Sequence, residues 1–374
     1  MENSPVPSGF LILAKFQVPL IKNPLGTGEF YYFCASKPKY KTKTLTATTG
    51  LLKDHPMDKI LVIGAAGQLG SELTRALADQ FGSDQVIATD LRATASTLFP
   101  YCRFEVLDVM DKDALGALVK KERVTQIYHL AAVLSATGEK NPQFAWQLNM
   151  DSLLHVLELA KECGLDKIYW PSSIAVFGPG TPKVNTPQFC EKDPNTVYGI
   201  SKLAGEGWCN YYFEKYGVDV RSLRYPGLIG YKSLPGGGTT DYAVDIYHKA
   251  IAKQAFTCFL SEDTYLPMMY MPDAIKATLD LMNAPKEAIK IRSSYNLAGM
   301  SFSPKEIFAS IKKEVPGFEI NYQVDFRQSI ADSWPDSIDD SRARADWGWK
   351  PSYDLDSMSR DILKHLPAFF PPQS

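Results

Sequence analysis

The sequence predicts an α/β fold, a doubly wound parallel sheet followed by a smaller C-terminal lobe. Two observations lead to this prediction. From Asp58 onward, short apolar segments typical of buried strands alternate with longer segments that repeat apolar residues at helical spacing. The first strand also runs directly into a glycine-rich turn and a helix within Lys59–Gly70, which reads KILVIGAAGQLG. Alternation of this kind places ligand sites at the carboxyl ends of the strands.

The glycine-rich turn predicts a phosphate site of Rossmann type. Residues 60–63 are apolar enough for a strand buried on both faces, and residues 68–81 carry apolar side chains at helical spacing. A helix that starts after such a turn points its free N–H groups and its positive dipole end at an anion. The glycines supply the tight turn and the space that the pyrophosphate needs. The predicted binding residues of this turn are Gly64, Gly67, Gln68, Leu69 and Gly70.

An acidic residue at the end of the second strand points to the cofactor. A short apolar strand over residues 85–89 ends in Asp90, followed by Leu91. A carboxylate at this place accepts hydrogen bonds from both ribose hydroxyls and repels a 2′-phosphate, so it predicts NAD rather than NADP. Arg92 lies close to the same position, and its cation would favour the 2′-phosphate of NADP. A solvated loop charge is an equally good interpretation of Arg92.

The next strands end in further candidate cofactor residues. Asp108, which Val109 follows, ends the third strand; its carboxylate suits the adenine amino group, or alternatively the N-terminus of the following helix. The fourth strand ends in Leu130, and the small residues Ala131 and Ala132 follow where the chain must run close to the cofactor. All of these positions lie at the strand ends where the fold class predicts a ligand.

Composition narrows the class of protein. The 374 residues carry 40 basic and 42 acidic side chains, a formal charge of −2, which gives no electrostatic footprint for nucleic acid. The six cysteines form no CxxC pair and the five histidines are isolated, so we expect reduced thiols inside the cell and no metal site. No apolar run approaches the roughly 20 residues of a membrane span.

Residues 1–56 differ from the rest of the chain. They are rich in lysine, hydroxyl and turn-forming residues and contain only Glu2, Glu29 and Asp54 as acids. This composition is typical of an organelle-targeting segment, here mitochondrial, although the absence of arginine fits a plain N-terminal extension equally well. We expect the segment to lie outside the fold in either case.

A second pair of residues predicts acid–base chemistry. Tyr198 and Lys202 stand four residues apart in a helical segment, so the phenol and the ammonium share one face. A phenol has an unperturbed pKa of about 10. A cation at about 4 Å, in an effective dielectric of about 20, favours the phenolate by about 4 kcal/mol, or almost three pKa units. The pair therefore predicts a tyrosine that works as a general base.

These motifs together resemble one known family. GAAGQLG, Asp90, HLAA, PSSIAVFG and YGISK occur in an order and at intervals similar to those of the extended short-chain dehydrogenase/reductases, over about residues 58–366. The resemblance implies that Tyr198 is the catalytic base and that Lys202 lowers its pKa and binds the nicotinamide ribose. It also implies that Ser173, rather than Ser172, bonds the reacting hydroxyl. Further roles implied are helix and water orientation by Asn149 and contacts of Tyr225 and Leu228 with the nicotinamide.

Segments of both lobes resemble a narrower family, the L-threonine 3-dehydrogenases of the short-chain type. The segments are LSATGE, GGGTTDYA, YMPDAIKATLDLM and SWPDSIDDSRARADWGW. The resemblance implies that threonine is held by Ser135, Ser173, Tyr198, Thr239 and Thr240 and covered by Trp334. GGGTTDYA also fits an ordinary helix N-terminus capped by Thr239 or Thr240.

The expected organisation follows from both resemblances. Residues 57–230 form an NAD-binding Rossmann domain and residues 231–366 form mainly a substrate-binding lobe, with some segments returning to the first domain. The expected activity is oxidation of the C3 hydroxyl of L-threonine, and the resemblance favours a homodimer. A sugar-nucleotide epimerase or dehydratase with bound NAD is the alternative, although the second lobe has few clustered cations for a diphosphate.

Overall fold

The structure is a computed structural model that describes residues 58–236 and 238–370. A six-stranded parallel sheet forms the centre of this part of the chain. Its strand order is β3-β2-β1-β4-β5-β7, so that β2 and β3 lie on one side of β1 and the other three strands lie on the opposite side. This order places a topological switch point between β1 and β4, where doubly wound folds bind their ligands. The strands are β1 (Ile60–Ile63), β2 (Val86–Asp90), β3 (Arg103–Val106), β4 (Gln126–His129), β5 (Lys167–Tyr169), β6 (Ser172–Ser173), β7 (Val220–Arg221), β8 (Leu223–Tyr225), β9 (Gly227–Ile229), β10 (Phe256–Cys258), β11 (Leu266–Tyr270), β12 (Tyr295–Asn296), β13 (Met300–Phe302) and β14 (Ile320–Tyr322).

Helices cover both faces of this sheet. Alternate residues of β1 point to opposite sides, so that Ile60 and Val62 join one hydrophobic cluster while Leu61 and Ile63 join another. This double burial confirms the predicted Rossmann-type α/β fold. The helices are α1 (Gln68–Phe81), α2 (Lys112–Glu122), α3 (Ser135–Gly138), α4 (Pro142–Cys163), α5 (Val197–Tyr216), α6 (Tyr242–Ile251), α7 (Met271–Asn283), α8 (Pro304–Glu314), α9 (Arg327–Ala331), α10 (Ser341–Trp347) and α11 (Leu355–Phe369).

Three short sheets continue the architecture beyond the central one. β6, β8 and β12 form a parallel sheet directly after β5 and β7, which carries the chain from the central sheet toward Ser173. β9, β11 and β13 form a second, and β10 and β14 pair in a third. A third hydrophobic cluster joins α6, α8 and α11 to β10 and β11.

Several sequence predictions can be compared directly with these elements. α1 has the predicted bounds, residues 68–81, and Gly164 ends α4 in the left-handed conformation with φ 63°. The predicted extension over residues 1–56 lies outside the described residues. Within the described ranges, no helix is both long and apolar enough to span a bilayer. The division of the chain near residue 230 stays a prediction.

Candidate active site

The turn between β1 and α1 has the geometry of a pyrophosphate cradle. Gly64 has φ +79°, and a Cβ there would lie 2.7 Å from the backbone nitrogen of Ala131. A Cβ on Gly70 would lie 2.4 Å from the Gly64 carbonyl oxygen, so this glycine lets α1 pack against the turn. A Cβ on Gly67 would meet nothing nearer than 3.4 Å. Two glycines therefore serve the fold, while the third keeps open the space that a ligand needs at the start of α1.

Asp90 lies beside this turn, as the sequence predicts. Its Oδ2 accepts a hydrogen bond from the Ala66 nitrogen at 3.1 Å, and its Oδ1 accepts from the backbone nitrogen and the Nε of Arg92 at 3.1 and 3.0 Å. The Arg92 guanidinium also donates to the Ala66 carbonyl at 3.1 Å, so it joins the acid to the glycine turn. Burial opposes ionisation of Asp90, but the bonds from Arg92 outweigh it and lower the pKa.

The remaining candidate cofactor residues lie at neighbouring strand ends. Leu91 is exposed, and the exposed Asp108 accepts from the Met110 nitrogen at 2.9 Å. The alternative that Asp108 caps a helix is wrong, because Asp111 caps α2 through the Ala114 nitrogen. Gln68, at the start of α1, is exposed as well. The other members of this group are partly or fully buried, namely Leu69, Val109, Leu130, Ala131 and Ala132.

Tyr198 and Lys202 occupy one face of α5, directly above the carboxyl end of β5. The Lys202 Nζ donates to the Pro171 carbonyl at 2.6 Å and lies 4.4 Å from the centre of the Trp170 ring. It lies 5.6 Å from the centre of the Tyr198 ring. The helix can approach this closely because Gly199 faces the Ala175 carbonyl oxygen, which a Cβ would meet at 2.1 Å. The sequence reasoning overlooked Gly199, although it stands inside the YGISK motif.

The pKa values at this pair differ from the expectation. Burial raises the pKa of Tyr198 to about 12, and a hydrogen bond with Ser173 offsets this only in part. Burial also lowers the pKa of Lys202 to about 7, while Cys209 and Glu206 act in the opposite direction. Loss of hydration thus raises the pKa of Tyr198 in the protein alone, and the lowering of this pKa by Lys202 stays a prediction.

The two serines after β5 have different partners. The Ser172 hydroxyl donates to Glu206 Oε1 at 2.8 Å and is buried. The Ser173 hydroxyl accepts a hydrogen bond from the Ala175 nitrogen at 3.2 Å, and its hydrogen bond with Tyr198 lowers the pKa of that phenol. This arrangement favours Ser173 over Ser172 as the residue beside the reacting oxygen.

A buried ion pair lies beneath these serines, and the sequence reasoning missed it. Arg224 donates to both carboxylate oxygens of Glu206, at 2.7 and 2.8 Å, and both side chains are almost fully buried. Arg224 also donates to the Gln188 carbonyl and to the Asn296 Oδ1, at 3.0 and 2.8 Å. Glu206 follows Lys202 by four residues, and this helical spacing is the one feature of the sequence that places Glu206 near the catalytic pair. Arg224 lies inside an apolar strand, and no local pattern predicts its partner.

Asn149 joins α4 to the neighbouring elements. Its Oδ1 accepts from the Val133 nitrogen at 2.8 Å, and its Nδ2 donates to the Val133 carbonyl and to the Ser201 hydroxyl, each at 3.1 Å. Ser201 in turn donates to the Tyr198 carbonyl at 2.8 Å. The amide thus orients α5, which is the first of the two roles that the resemblance implies.

The predicted substrate residues come from three separate segments. Ser135 begins α3, just after β4, and is half-buried. Thr239 is buried and Thr240 half-buried; the N-cap of α6 is Asp241, with no side-chain cap bond, so the alternative role of these threonines as helix caps is wrong. Trp334 is only 6% exposed and packs in the hydrophobic cluster around α6, against which Tyr198 also packs; its role as a cover over the substrate stays a prediction.

Tyr225 does not present its side chain to a ligand. It is buried, accepts a hydrogen bond from the Tyr169 hydroxyl at 2.6 Å, and bonds the Thr278 hydroxyl as well. The phenol serves the core between the sheet and α7, and the contact of Tyr225 with the nicotinamide stays a prediction. Leu228, in β9, remains half-buried.

The described residues show no preformed metal centre and no disulfide. Among residues 58–236 and 238–370, the His, Cys, Asp and Glu side chains form no group of three that could hold a metal ion. The cysteines of this part of the chain are free thiols, namely Cys102, Cys163, Cys190, Cys209 and Cys258.

Comparison with known proteins places the chain in a family. The model of the NAD dependent epimerase/dehydratase family matches residues 60–298. An uncharacterized epimerase/dehydratase of Staphylococcus saprophyticus is 49% identical over 309 residues, which are 82% of this chain and 96% of the relative.

Solved structures extend the comparison to the second lobe. The holo form of a GalE-like L-threonine dehydrogenase from Cupriavidus necator is 58% identical, with a TM-score of 0.81, and covers 82% of this chain and 99% of its own. A monomeric L-threonine 3-dehydrogenase from a metagenome is 47% identical, with a TM-score of 0.79, and covers 83% of this chain and 99% of its own.

These relatives correct one expectation and settle the family. The predicted mitochondrial location is wrong, because the curated relatives come from Staphylococcus species, which are bacteria without mitochondria. The family match covers the glycine turn, Asp90 and the Tyr198–Lys202 pair in one continuous stretch. The chain belongs to the NAD dependent epimerase/dehydratase family, and it is an NAD-dependent oxidoreductase.

Proposed function

We propose that this protein oxidises the C3 hydroxyl of L-threonine with NAD, giving 2-amino-3-ketobutyrate and NADH. The observation that carries the proposal is the 58% identity to a GalE-like L-threonine dehydrogenase over nearly the whole of that chain, including both lobes. The match covers 82% of this chain and 99% of that enzyme, which supports a shared substrate.

The cofactor site fits NAD on the evidence of its own geometry. The open space at Gly67 and the start of α1 suit a pyrophosphate, and the carboxylate of Asp90 suits the ribose hydroxyls. When bound, NAD supplies a nicotinamide ring that accepts a hydride. Lys202 stands near Tyr198, within reach of a ribose on the same face of α5.

Tyr198 is the proposed base. The proton of the C3 hydroxyl passes to the Tyr198 phenolate, the C3–H bond delivers its hydride to NAD, and the electron pair of the former O–H bond completes the carbonyl. Ser173 donates a hydrogen bond to the developing alkoxide. Because burial raises the pKa of Tyr198 to about 12, we expect the reaction rate to increase toward alkaline pH.

Hydroxyl and backbone donors provide the proposed contacts with the amino acid. Ser135, Thr239 and Thr240 offer hydroxyls, and three consecutive glycines follow Pro235. These groups suit a small zwitterion better than a nucleotide diphosphate, which would require clustered cations. This difference is the reason to prefer threonine over a sugar nucleotide.

The decisive experiment measures NADH formation by the purified protein with NAD and L-threonine, L-allo-threonine, L-serine or D-threonine, beside Tyr198→Phe. We expect a signal with L-threonine that Tyr198→Phe lowers by about 10²–10⁴-fold, since the phenol transfers a proton in the reaction. NAD binding should be unchanged in the variant. No turnover of threonine, with turnover of UDP-glucose instead, would transfer the proposal to the epimerase alternative.

The homodimer remains a separate proposal. Trp208, Tyr211 and Tyr216 lie on α5 with about 40% of each side chain exposed, and their rings pack against one another. Such an aromatic face suits a second copy of the chain. Because one similar enzyme is described as monomeric, light scattering on the purified protein, with Trp208→Glu as the variant, is the measurement that decides.

A further inference from the structure

The segment from Val133 to Glu139, which we call the Ser135 loop, is joined to helix α5 at both of its ends. At the first end, Asn149 binds the Val133 backbone through two hydrogen bonds and donates a third to Ser201. Ser201 lies one turn beyond Tyr198 and donates to the Tyr198 carbonyl. The start of the loop is therefore connected to the catalytic tyrosine through two side chains.

The second connection is made by Glu139. Its Oε1 accepts a hydrogen bond from the Val197 nitrogen at 2.9 Å. Val197 is the first residue of α5 and immediately precedes Tyr198. The first N–H groups of a helix have no partner within it. Thr196 caps the Gly199 nitrogen at 3.1 Å, and Glu139, from a different segment, satisfies the Val197 nitrogen.

Close packing holds the loop at the distance this bond requires. Gly138 is buried, and a Cβ there would lie 3.1 Å from Val197 Cγ1 and 3.3 Å from the Cβ of Ala145. The loop, α4 and α5 therefore meet at Gly138 without space for a side chain. The Glu139 side chain itself is exposed, so its replacement leaves this packing in place.

We propose that Glu139 is a positioning residue that fixes the substrate-binding Ser135 loop relative to the base Tyr198. Ser135 and Tyr198 contact substrate in the proposed function, on which this inference rests. The hydrogen bond from Val197 joins the two segments beside both residues, so the distance between substrate and base depends on it. Small errors in such a distance reduce the rate strongly, because the reacting atoms need a near-attack geometry.

The test compares the wild-type protein with Glu139→Ala, Glu139→Gln and a matched control, Asp354→Ala. Asp354 is exposed and caps α11 through the Ser357 nitrogen at 2.8 Å, in a helix that holds none of the predicted site residues. The measurements are kcat and KM for L-threonine and for NAD, and amide hydrogen exchange of the peptide that contains Val197–Lys202.

We expect Glu139→Ala to lower kcat/KM for threonine by about fivefold, the effect of one lost hydrogen bond, and to change the KM for NAD by less than about twofold. Exchange in the first turn of α5 should rise. Glu139→Gln keeps an acceptor oxygen and should restore both properties. Asp354→Ala should leave both unchanged.

The two possible failures are distinguishable. If the wild-type protein does not oxidise threonine, the proposed function fails, and hydrogen exchange alone then decides the inference. Unchanged exchange over Val197–Lys202 in Glu139→Ala overturns it. A loss of activity in Glu139→Ala that Glu139→Gln fails to restore overturns it as well, and so does a loss matched by Asp354→Ala.

Discussion

The nucleotide-binding turn and the catalytic corner around Tyr198 are built by different means. The turn depends on backbone and space, since Gly64 has a positive φ and Gly70 faces the carbonyl of Gly64 with no space for a side chain. The corner depends on side chains that come from distant segments, such as Asn149, Glu206 and Arg224. A site of the first kind is contained in a dozen consecutive residues. A site of the second kind exists only once the chain has folded.

The largest expected effect follows from breaking the corner at its buried ion pair. Arg224→Met leaves the carboxylate of Glu206 buried without its cation, and we expect the free energy of unfolding to fall by about 3–5 kcal/mol. Urea denaturation measures this change. The double variant Glu206→Leu/Arg224→Met is the control, because it buries no charge and should recover most of the loss. A single variant within about 1 kcal/mol of the wild-type protein would contradict the role of the pair.

A matched pair of glycine substitutions tests the turn. Gly70→Ala places a Cβ 2.4 Å from the Gly64 carbonyl and should lower the free energy of unfolding by about 1–3 kcal/mol, as overpacking does. Gly67→Ala has space for its methyl group and should keep the stability, but it should weaken NAD binding by about tenfold, or about 1.4 kcal/mol. Thermal unfolding and NAD titration of both variants are the measurements. Equal effects of the two on both properties would remove the distinction between a fold glycine and a ligand glycine.

The pH dependence of stability distinguishes the corner further. Burial lowers the pKa of Lys202 from 10.5 to about 7 in the folded protein. Between these values the unfolded chain binds more protons at this group, so its contribution to the free energy of unfolding increases as the pH rises from about 7 toward 10. The increase is at most about 1.4 kcal/mol per pH unit. Urea denaturation at pH 7, 8 and 9 should give a steeper rise for the wild-type protein than for Lys202→Met, and parallel curves would show that the ammonium is not strongly desolvated.

The smallest expected effect concerns cofactor choice at the turn. Arg92 neutralises part of the charge that Asp90 presents to a 2′-phosphate, and its side chain is mostly exposed. Arg92→Ala should therefore increase the preference for NAD over NADP by about threefold, the range of an exposed ion pair. Asp90→Asn should change the preference in the opposite direction. The ratio of kcat/KM for the two cofactors measures both, and a decreased NAD preference in Arg92→Ala would show that the cation does not favour NADP.

The glycine-rich turn and Asp90 could be predicted from the sequence because the patterns that indicate them are local. The residues of the turn, the bounds of α1 and the position of Asp90 follow from strand and helix periodicity together with three glycines. The Tyr198–Lys202 pair was also predictable, since both residues lie on one helix face.

The remaining features depend on tertiary surroundings that no local pattern records. Trp334 and Tyr225 are aromatic residues next to glycine-rich or motif segments, yet both are buried in the core. The pKa of Tyr198 depends on how much water the folded chain excludes. Burial raises this pKa, whereas the spacing to Lys202 predicted a lower one. Arg224 stands inside an apolar strand, and only the folded chain brings Glu206 beside it.

The pairing of Glu206 with Arg224 also limits how this protein can change over evolutionary time. A mutation of either residue alone leaves a buried charge without its partner. Selection for a folded protein removes such a variant. Homologous chains should therefore keep both residues or replace both, so that the two positions covary although they stand 18 residues apart in different elements.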